Sequence, residues 1–167
     1  MPTLEELVGE EHLLNIAISG DGDTKVAFLK QNVSLLEALT TLEFNGYHIQ
    51  LIVHGDGWQE KLNWVRGNYQ NVLQPMGFNG SHVAKIVVGA DWEDKLNWVR
   101  DNYQNVLQPM GFKPAHAAQI LRNKGWEEKL EWIANNYQNS PYTPVEIARK
   151  MLKRDWKSQV GYISPKR

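Results

Sequence analysis

A repeat with a fixed period of 34 residues constrains the fold of this chain more than any other feature of its sequence. Aromatic residues recur at that spacing in two sets, Trp58, Trp92, Trp126 and Tyr69, Tyr103, Tyr137. Such a period is typical of stacked supersecondary units rather than of one closed globule. The functional question for such an array is therefore what it binds, more than where an active site lies.

The repeats diverge unevenly along their length. Residues 58–78 and 92–112 match at 18 of 21 positions, whereas the adjoining residues 79–91 and 113–125 match at only 3 of 13. One half of each unit is constant and the other varies, as expected of a modular recognition protein with a fixed scaffold and a changing contact surface. The alternative is a recent duplication with chance drift, which we disfavour because drift would scatter the changes more evenly.

The constant half predicts a long amphipathic helix. Over Trp58–Leu73, and likewise Trp92–Leu107, apolar residues recur at helical spacing on one face. Asp91 is expected at the N-cap of the second copy. Pro75 and Pro109 are expected to end these helices, and Gly77 and Gly111 to turn the chain.

The variable half predicts a short helix followed by a glycine-containing loop. Each short helix follows a phenylalanine, with Ser81 as a candidate N-cap in one copy and Pro114 in the first turn of the next. Three isoleucines at the repeat period are expected to anchor these helices in the core, Ile52, Ile86 and Ile120.

The predicted fold is therefore an all-α solenoid of about four 34-residue two-helix repeats with a partial C-terminal capping repeat, of unspecified hand. The predicted segments, together one domain, are an acidic N-terminal cap (1–9), a degenerate repeat (10–43), three repeats (44–77, 78–111, 112–141) and a partial basic capping repeat (142–167). In the degenerate repeat, Ile18, Phe28 and Leu35 are aligned with Ile52, Leu62 and Tyr69.

Composition narrows the function classes. Cysteine is absent, which excludes disulfides, Cys-ligated metals and a Cys nucleophile and fits a reducing compartment. The acidic N-terminus lacks the basic region of a signal peptide, and no apolar run is long enough to span a membrane. We expect a cytoplasmic protein without cofactor, metal, membrane or small-molecule substrate, while secretion into a host cell stays open. No P-loop, Rossmann fingerprint or nucleophile elbow is present, so we expect no enzyme activity.

Charge is polarised along the chain although the net charge is only −1. Residues 1–53 carry a net −6 and residues 141–167 a net +5. The basic end could meet nucleic acid, an acidic partner, a membrane surface or the acidic end of another copy, or could be only a solvated tail.

Two further columns recur at the repeat period. His48, His82 and His116 are interpreted as structural or partner-facing, because neighbouring helices lie roughly 8–10 Å apart, too far for shared metal ligation. A second column consists of Trp64, Trp98 and Trp132. It is expected to pack between units, with stacking on a ligand as the alternative.

The combination of a 34-residue period, a short helix, a glycine-containing loop and a longer helix resembles the repeats of transcription activator-like (TAL) effectors and their divergent bacterial relatives. The matching residues are the Pro114 and Thr143-Pro144 helix starts, the anchors Ile86 and Ile120, the loop Asn123-Lys124-Gly125, the second-helix residues Leu96, Val99, Leu130 and Ile133, and the repeat-ending Gly77 and Gly111. The similarity covers about residues 10–156.

The resemblance implies double-stranded DNA binding, with a loop dipeptide reading one base per repeat. It assigns the readers Gly55 and Asp56, Gly89 and Ala90, Asn123 and Lys124, Lys153 and Arg154, and by extension Asp21 and Gly22. Possible phosphate contacts are Lys61, Lys95, Lys129, Arg149, Lys150 and Lys157.

The alternative function is a protein–protein interaction scaffold, for example a bacterial effector or adaptor. Where the TAL family has a second loop glycine this chain has Trp58, Trp92 and Trp126, and acids follow each tryptophan. Carboxylates at a helix N-terminus repel phosphate, on which DNA affinity largely rests. The resemblance favours DNA and the acids favour a protein partner. We favour DNA binding, because the variable residues lie where the TAL family reads bases. The discriminating feature is whether these tryptophans point inward, which would leave the loop backbone open to DNA.

Overall fold

The computed structural model describes residues 2–162, and every regular element within them is helical, which confirms the predicted all-α class. The α-helices are α1 (Leu4–Val8), α2 (Glu10–Ala17), α3 (Gly22–Gln31), α4 (Val33–Thr41), α5 (Gly46–Ile52), α6 (Trp58–Asn68), α7 (Gly80–Ile86), α8 (Trp92–Asn102), α9 (Pro114–Arg122), α10 (Trp126–Asn136), α11 (Pro144–Lys150) and α12 (Trp156–Val160). No helix in this range has both the length and the apolar character needed to cross a bilayer. Met1 and residues 163–167, the ends of the predicted segments 1–9 and 142–167, lie outside the described residues.

The long helices are shorter than the sequence predicts. Helix α6 ends at Asn68, and Tyr69–Leu73 continues as a π-helical turn before the 3₁₀ turn Gln74–Met76. The backbone leaves helical geometry at Asn68, where φ is −126°, and the Asn68 side-chain amide donates to the Trp64 carbonyl at 2.9 Å. Corresponding asparagine bonds occur in the other units, from Asn32 to Phe28, from Asn102 to Trp98 and from Asn136 to Trp132. The predicted continuous helix over Trp58–Leu73 is therefore wrong in its last turn, although Gly77 turns the chain as expected with φ 93°.

The tyrosine column joins one unit to the next. The ring of Tyr69 packs edge-on against Phe44, with ring centroids 4.8 Å apart, and its hydroxyl donates to the Phe78 carbonyl at 2.9 Å. Tyr103 repeats this bond to Phe112 at 2.8 Å. A side chain that spans the unit boundary in this way explains why the tyrosine recurs at the full repeat period.

The short helices lie in sequence beside one another. Helix α2 contacts α5, α5 contacts α7, α7 contacts α9, and α9 contacts α11. Ile52, Ile86 and Ile120 are fully buried, as predicted. The N-cap of α7 is Asn79 rather than Ser81, because the Asn79 side chain accepts from the His82 amide at 3.0 Å.

The first unit corrects the predicted internal alignment. Ile18 is 76% exposed, whereas Ile16 is buried and lies 36 residues before Ile52. The buried Lys25 likewise lies 36 residues before Lys61, while Leu35 keeps the 34-residue spacing to Tyr69. Two extra residues therefore lie between these positions, where the chain breaks between α3 and α4.

The second tryptophan column packs rather than forming a free stacking surface. Trp132 is buried, and Trp64 and Trp98 are partly buried against the core.

Candidate recognition surface

The outward faces of the short helices form one continuous feature, which we call the short-helix row. Its members occupy positions i, i+4 and i+7 of α2, α5, α7, α9, α11 and the turns that follow them, a spacing that places them on one face of each helix. They are Glu11, Asn15, Ile18; Tyr47, Leu51, His54; Ser81, Lys85, Val88; Ala115, Gln119, Arg122; and Val145, Arg149, Leu152. All are exposed or half-buried, and their chemistry changes from one unit to the next.

Exposed large apolar side chains within residues 2–162 are confined to the short helices and the residues that follow them. Their exposed fractions range from 39% to 76%, and they are Leu14, Ile18, Tyr47, Val88, Val145 and Leu152. The π-helical turns that follow the long helices instead expose polar residues, Gln70 and Gln104. Sequence reasoning did not identify this asymmetry. The sequence does carry a signal for it, because the row positions are those of the variable half that do not coincide with the buried anchors.

The loops named as possible base readers follow the C-terminal ends of the short helices and so lie along one edge of the row. Gly55, Asp56, Gly89, Ala90 and Lys124 are exposed, and Asn123 is half-buried. Between the loops of two neighbouring units lies a groove of about 330 Å³ whose walls include Gly55, Asp56, Gly89 and Ala90. Positive φ values at Gly55 (79°) and Gly89 (96°) fold these loops tightly, a conformation that favours glycine.

The tryptophans that follow the loops point inward. Trp58, Trp92 and Trp126 are only 5–7% exposed, so they do not cover the loop surface. The Trp126 indole N–H donates to Asp91 Oδ2 at 2.7 Å and ties one unit to the preceding loop. Burial opposes ionisation of Asp91, but this bond and the nearby Lys95 ammonium lower its pKa overall. Asp91 is the N-cap residue of α8, as predicted, but its side chain makes no capping hydrogen bond.

The lysine column is buried rather than displayed. Lys61, Lys95 and Lys129 are only 2–4% exposed. The Lys61 ammonium donates to the His54 carbonyl at 3.0 Å, and the Lys95 ammonium to the Val88 carbonyl at 2.9 Å. Each donor satisfies a carbonyl just past the end of a short helix, where helices leave unpaired acceptors and a positive charge is favoured. This placement explains Lys61 and Lys95 structurally, and the burial of all three lysines argues against the phosphate contacts expected of them.

The histidine column caps the N-termini of the short helices. His48, His82 and His116 each accept, through Nδ1, the backbone N–H of the N-cap residue three positions earlier, at 3.2, 3.1 and 3.0 Å. Burial lowers the pKa of all three imidazoles, which matches their role as acceptors. In α11 Glu146 takes the same role with Thr143. This structural role explains why a histidine recurs at the repeat period.

The basic residues near the C-terminal end differ in whether their side chains are clustered, exposed or ion-paired. Arg149 and Lys153 line a groove of about 220 Å³ together with Lys150, whose ammonium also lies 4.5 Å from the centre of the Tyr142 ring. Arg154 is exposed. Lys157 pairs with Glu128 Oε1 at 2.7 Å, a contact that raises the Lys157 pKa. Of the expected phosphate contacts, Arg149 and Lys150 thus stay clustered at the surface, beside the predicted loop reader Lys153.

Acidic side chains flank the loops of the central units. Exposed carboxylates occupy the first turns of the long helices at Glu60, Glu93, Asp94 and Glu127. A phosphate backbone would meet these charges beside each loop, and like charges at close range repel. Within residues 2–162 no group of three or more His, Asp or Glu side chains is placed to hold a metal ion.

Comparison of this chain with known protein families, curated proteins and solved structures finds no match.

Proposed function

We propose that this protein is a non-enzymatic binding module built as a solenoid of about four two-helix repeats with a partial C-terminal repeat, and that it recognises another protein through the short-helix row. The observation that carries this proposal is the coincidence of two patterns. The half of each unit that varies between copies is also the half that exposes large apolar side chains.

Protein interfaces need apolar anchors that a partner can cover. Tyr47, Val88, Val145 and Leu152 are 39–52% exposed and recur along one face, and aligned apolar groups of this kind mark interaction surfaces. Charged groups on the same face, such as Lys85, Arg122 and Arg149, supply the polar rim of such an interface. The contacts between successive short helices support a continuous surface rather than separate patches.

The electrostatics also favour a protein partner. The acids beside the loops oppose a phosphate backbone there, and the burial of the lysine column removes three of the cations that would form a cationic path along the loops. A protein partner does not require such a path. We propose a reducing compartment such as the bacterial cytoplasm as the site of action, in keeping with the absence of cysteine.

Selection from a peptide display library tests this proposal. We expect the chain to enrich related sequences whose binding is lost in the row variant Y47D/V88D. The matched control Q70D/Q104D places the same two charges on exposed positions of the long-helix segment and should leave binding intact. A selection that enriches no sequence family, or binding that only Q70D/Q104D removes, would contradict the proposal.

DNA binding of the TAL-like kind is the second candidate, and the inward tryptophans favour it. Because Trp58, Trp92 and Trp126 are buried, the backbone of each loop stays accessible to a ligand. Arg149, Lys153 and Arg154 would supply phosphate contacts at one end.

Anisotropy of a labelled mixed-sequence duplex, titrated at about 50 mM and about 200 mM salt, tests this second function. Binding that weakens steeply with salt, and that K153A/R154A weakens further, would favour DNA. No binding at the lower salt would exclude it.

A further inference from the structure

A cationic apolar groove lies between α5 and α7 on the short-helix row. It has a volume of about 110 Å³, Tyr47, Leu51 and Val88 supply its apolar wall, and Lys85 and Arg122 lie at its edge. Neither cation forms an ion pair within residues 2–162. The groove continues towards the loops, because Leu51 and Val88 also line the larger groove there. Its chemistry fits an apolar segment that carries carboxylates.

The outer face of α2 has the complementary chemistry. Leu14 and Ile18 are 63% and 76% exposed, the highest fractions among the large apolar side chains of the described residues. They lie four residues apart and so share one face of the helix. Glu10 and Glu11 lie one turn earlier and are also exposed. This face is an acidic amphipathic surface that nothing within residues 2–162 covers.

The two surfaces lie side by side on one face of the molecule. Helix α2 packs against α5, and the His12 and Tyr47 rings approach to 5.9 Å between centroids. The α2 face does not cover this groove in its own chain, because Leu14 and Ile18 stay exposed although α2 and α5 are in contact. A second copy turned by 180° would bring each α2 face onto the groove of the other copy, which gives a closed, self-complementary contact.

We propose that two copies of this chain associate about a two-fold axis, with the Leu14–Ile18 face of each α2 against the α5–α7 groove of the other copy. The contact is a helix laid into a groove, with apolar side chains as anchors. Glu10 and Glu11 of one copy face Lys85 and Arg122 of the other. This inference rests on the proposed role of the short-helix row as a binding surface, and it names a second copy of the chain as one partner of its N-terminal half.

Sedimentation velocity over about 1 to 200 µM protein measures this association directly. We expect a reversible monomer–dimer equilibrium that weakens with salt, because exposed charges contribute to it. L14D/I18D should weaken association at least about tenfold, since it removes both apolar anchors. The two side chains are highly exposed, so the variant should keep the circular dichroism spectrum and unfolding midpoint of the parent.

Charge reversal tests the pairing itself. E10K/E11K and K85E/R122E should each weaken association about three- to tenfold, whereas combining all four changes should restore it to near the parent value. V145D/L152D is the matched control, because it places the same number of charges on exposed apolar positions at the other end of the row and should leave the association constant unchanged.

A chain that stays monomeric throughout this range would overturn the inference, as would a dimer that L14D/I18D leaves intact or that V145D/L152D abolishes. These outcomes are separable from failure of the proposed function. A monomer that still selects peptides through Y47D/V88D-sensitive binding keeps the proposed function and loses only the dimer, whereas an unproductive selection removes the function itself.

Discussion

The constant and variable halves of the repeat differ in what fixes their residues. Residues 58–78 and 92–112 differ at three positions, and many of the identical ones make contacts that cross a unit boundary or close a helix break, such as Tyr69 to Phe78 and Asn68 to Trp64. The short-helix row makes few such contacts and changes at nearly every position. The comparison teaches that this chain can vary its row because its fold is held elsewhere.

Packing alone does not explain the constant half. Arg66 and Arg100 are identical and exposed, as are Gln70 and Gln104, so common descent rather than burial accounts for them. Against that background of shared residues, the change from Ser81, Lys85 and Val88 to Ala115, Gln119 and Arg122 stands out. The proposed recognition surface predicts such a change, because its successive units would contact different parts of a ligand.

The largest expected effect is the loss of stability on mutation of a buried residue in the constant half. Leu96 is fully buried, so Leu96→Ala removes packed methyl groups and should lower the free energy of unfolding by about 2–5 kcal/mol. Val88→Ala in the row should change it by less than about 0.5 kcal/mol. Urea titrations of both variants measure this contrast. Equal losses would show that the row is part of the core.

A smaller effect is expected where the two halves meet. Lys95→Met keeps the length of the side chain but leaves the Val88 carbonyl without its donor, which should cost about 1–3 kcal/mol in the free energy of unfolding. Lys129→Met is the matched control. Lys129 is similarly buried, but within residues 2–162 its ammonium donates no hydrogen bond to a loop carbonyl, so its replacement should cost less. A larger loss in Lys129→Met would contradict the carbonyl-capping role of this column.

The smallest expected effect is a pH dependence that arises from the histidine capping boxes. Burial lowers the pKa of His48, His82 and His116 in the folded chain below the ordinary value of 6.5. Protons therefore bind more readily to the unfolded chain, so this contribution to stability is complete above about pH 6.5 and is lost as the pH falls through the lowered pKa values. Thermal unfolding midpoints should fall by a few degrees between about pH 7 and pH 5.

The triple variant H48Q/H82Q/H116Q isolates this contribution. Glutamine can accept the same N-cap amide but does not titrate, as in the usual capping box. We expect the variant to keep its midpoint at neutral pH and to lose part of its acid sensitivity. An unchanged pH profile would show that other groups cause the acid sensitivity.

Periodicity alone predicts much of the fold. The helical class, the buried isoleucines and the apolar face of the long helix follow from spacing, and the structure shows all three. The break at Asn68 could not be foreseen, because a side-chain amide that bonds four residues back does not interrupt the hydrophobic pattern. The two extra residues of the first unit could not be predicted for a similar reason. Ile16 and Ile18 are equally plausible anchors by residue type, and only burial distinguishes them.

The exposure of the candidate site residues could be predicted from the sequence only in part. The divergence between residues 79–91 and 113–125 is the sequence signal on which the proposed recognition surface rests. It does not show that Lys61 and Lys95 turn inward, because a lysine at helical spacing has the same sequence signature whether it caps a buried carbonyl or meets solvent. Their partners lie seven residues earlier across a turn, a relation that only the folded chain reveals.

The most direct test replaces the row residues of one unit with those of another unit. The changes S81A, K85Q and V88R give the unit that contains α7 the row residues of the unit that contains α9 while leaving the constant half untouched. If the row carries recognition, this variant should unfold within about 2 °C of the parent and bind the display-selected peptides at least about tenfold more weakly. A large loss of stability, or unchanged peptide binding in a stable variant, would contradict the division of each repeat into a constant scaffold and a variable recognition surface.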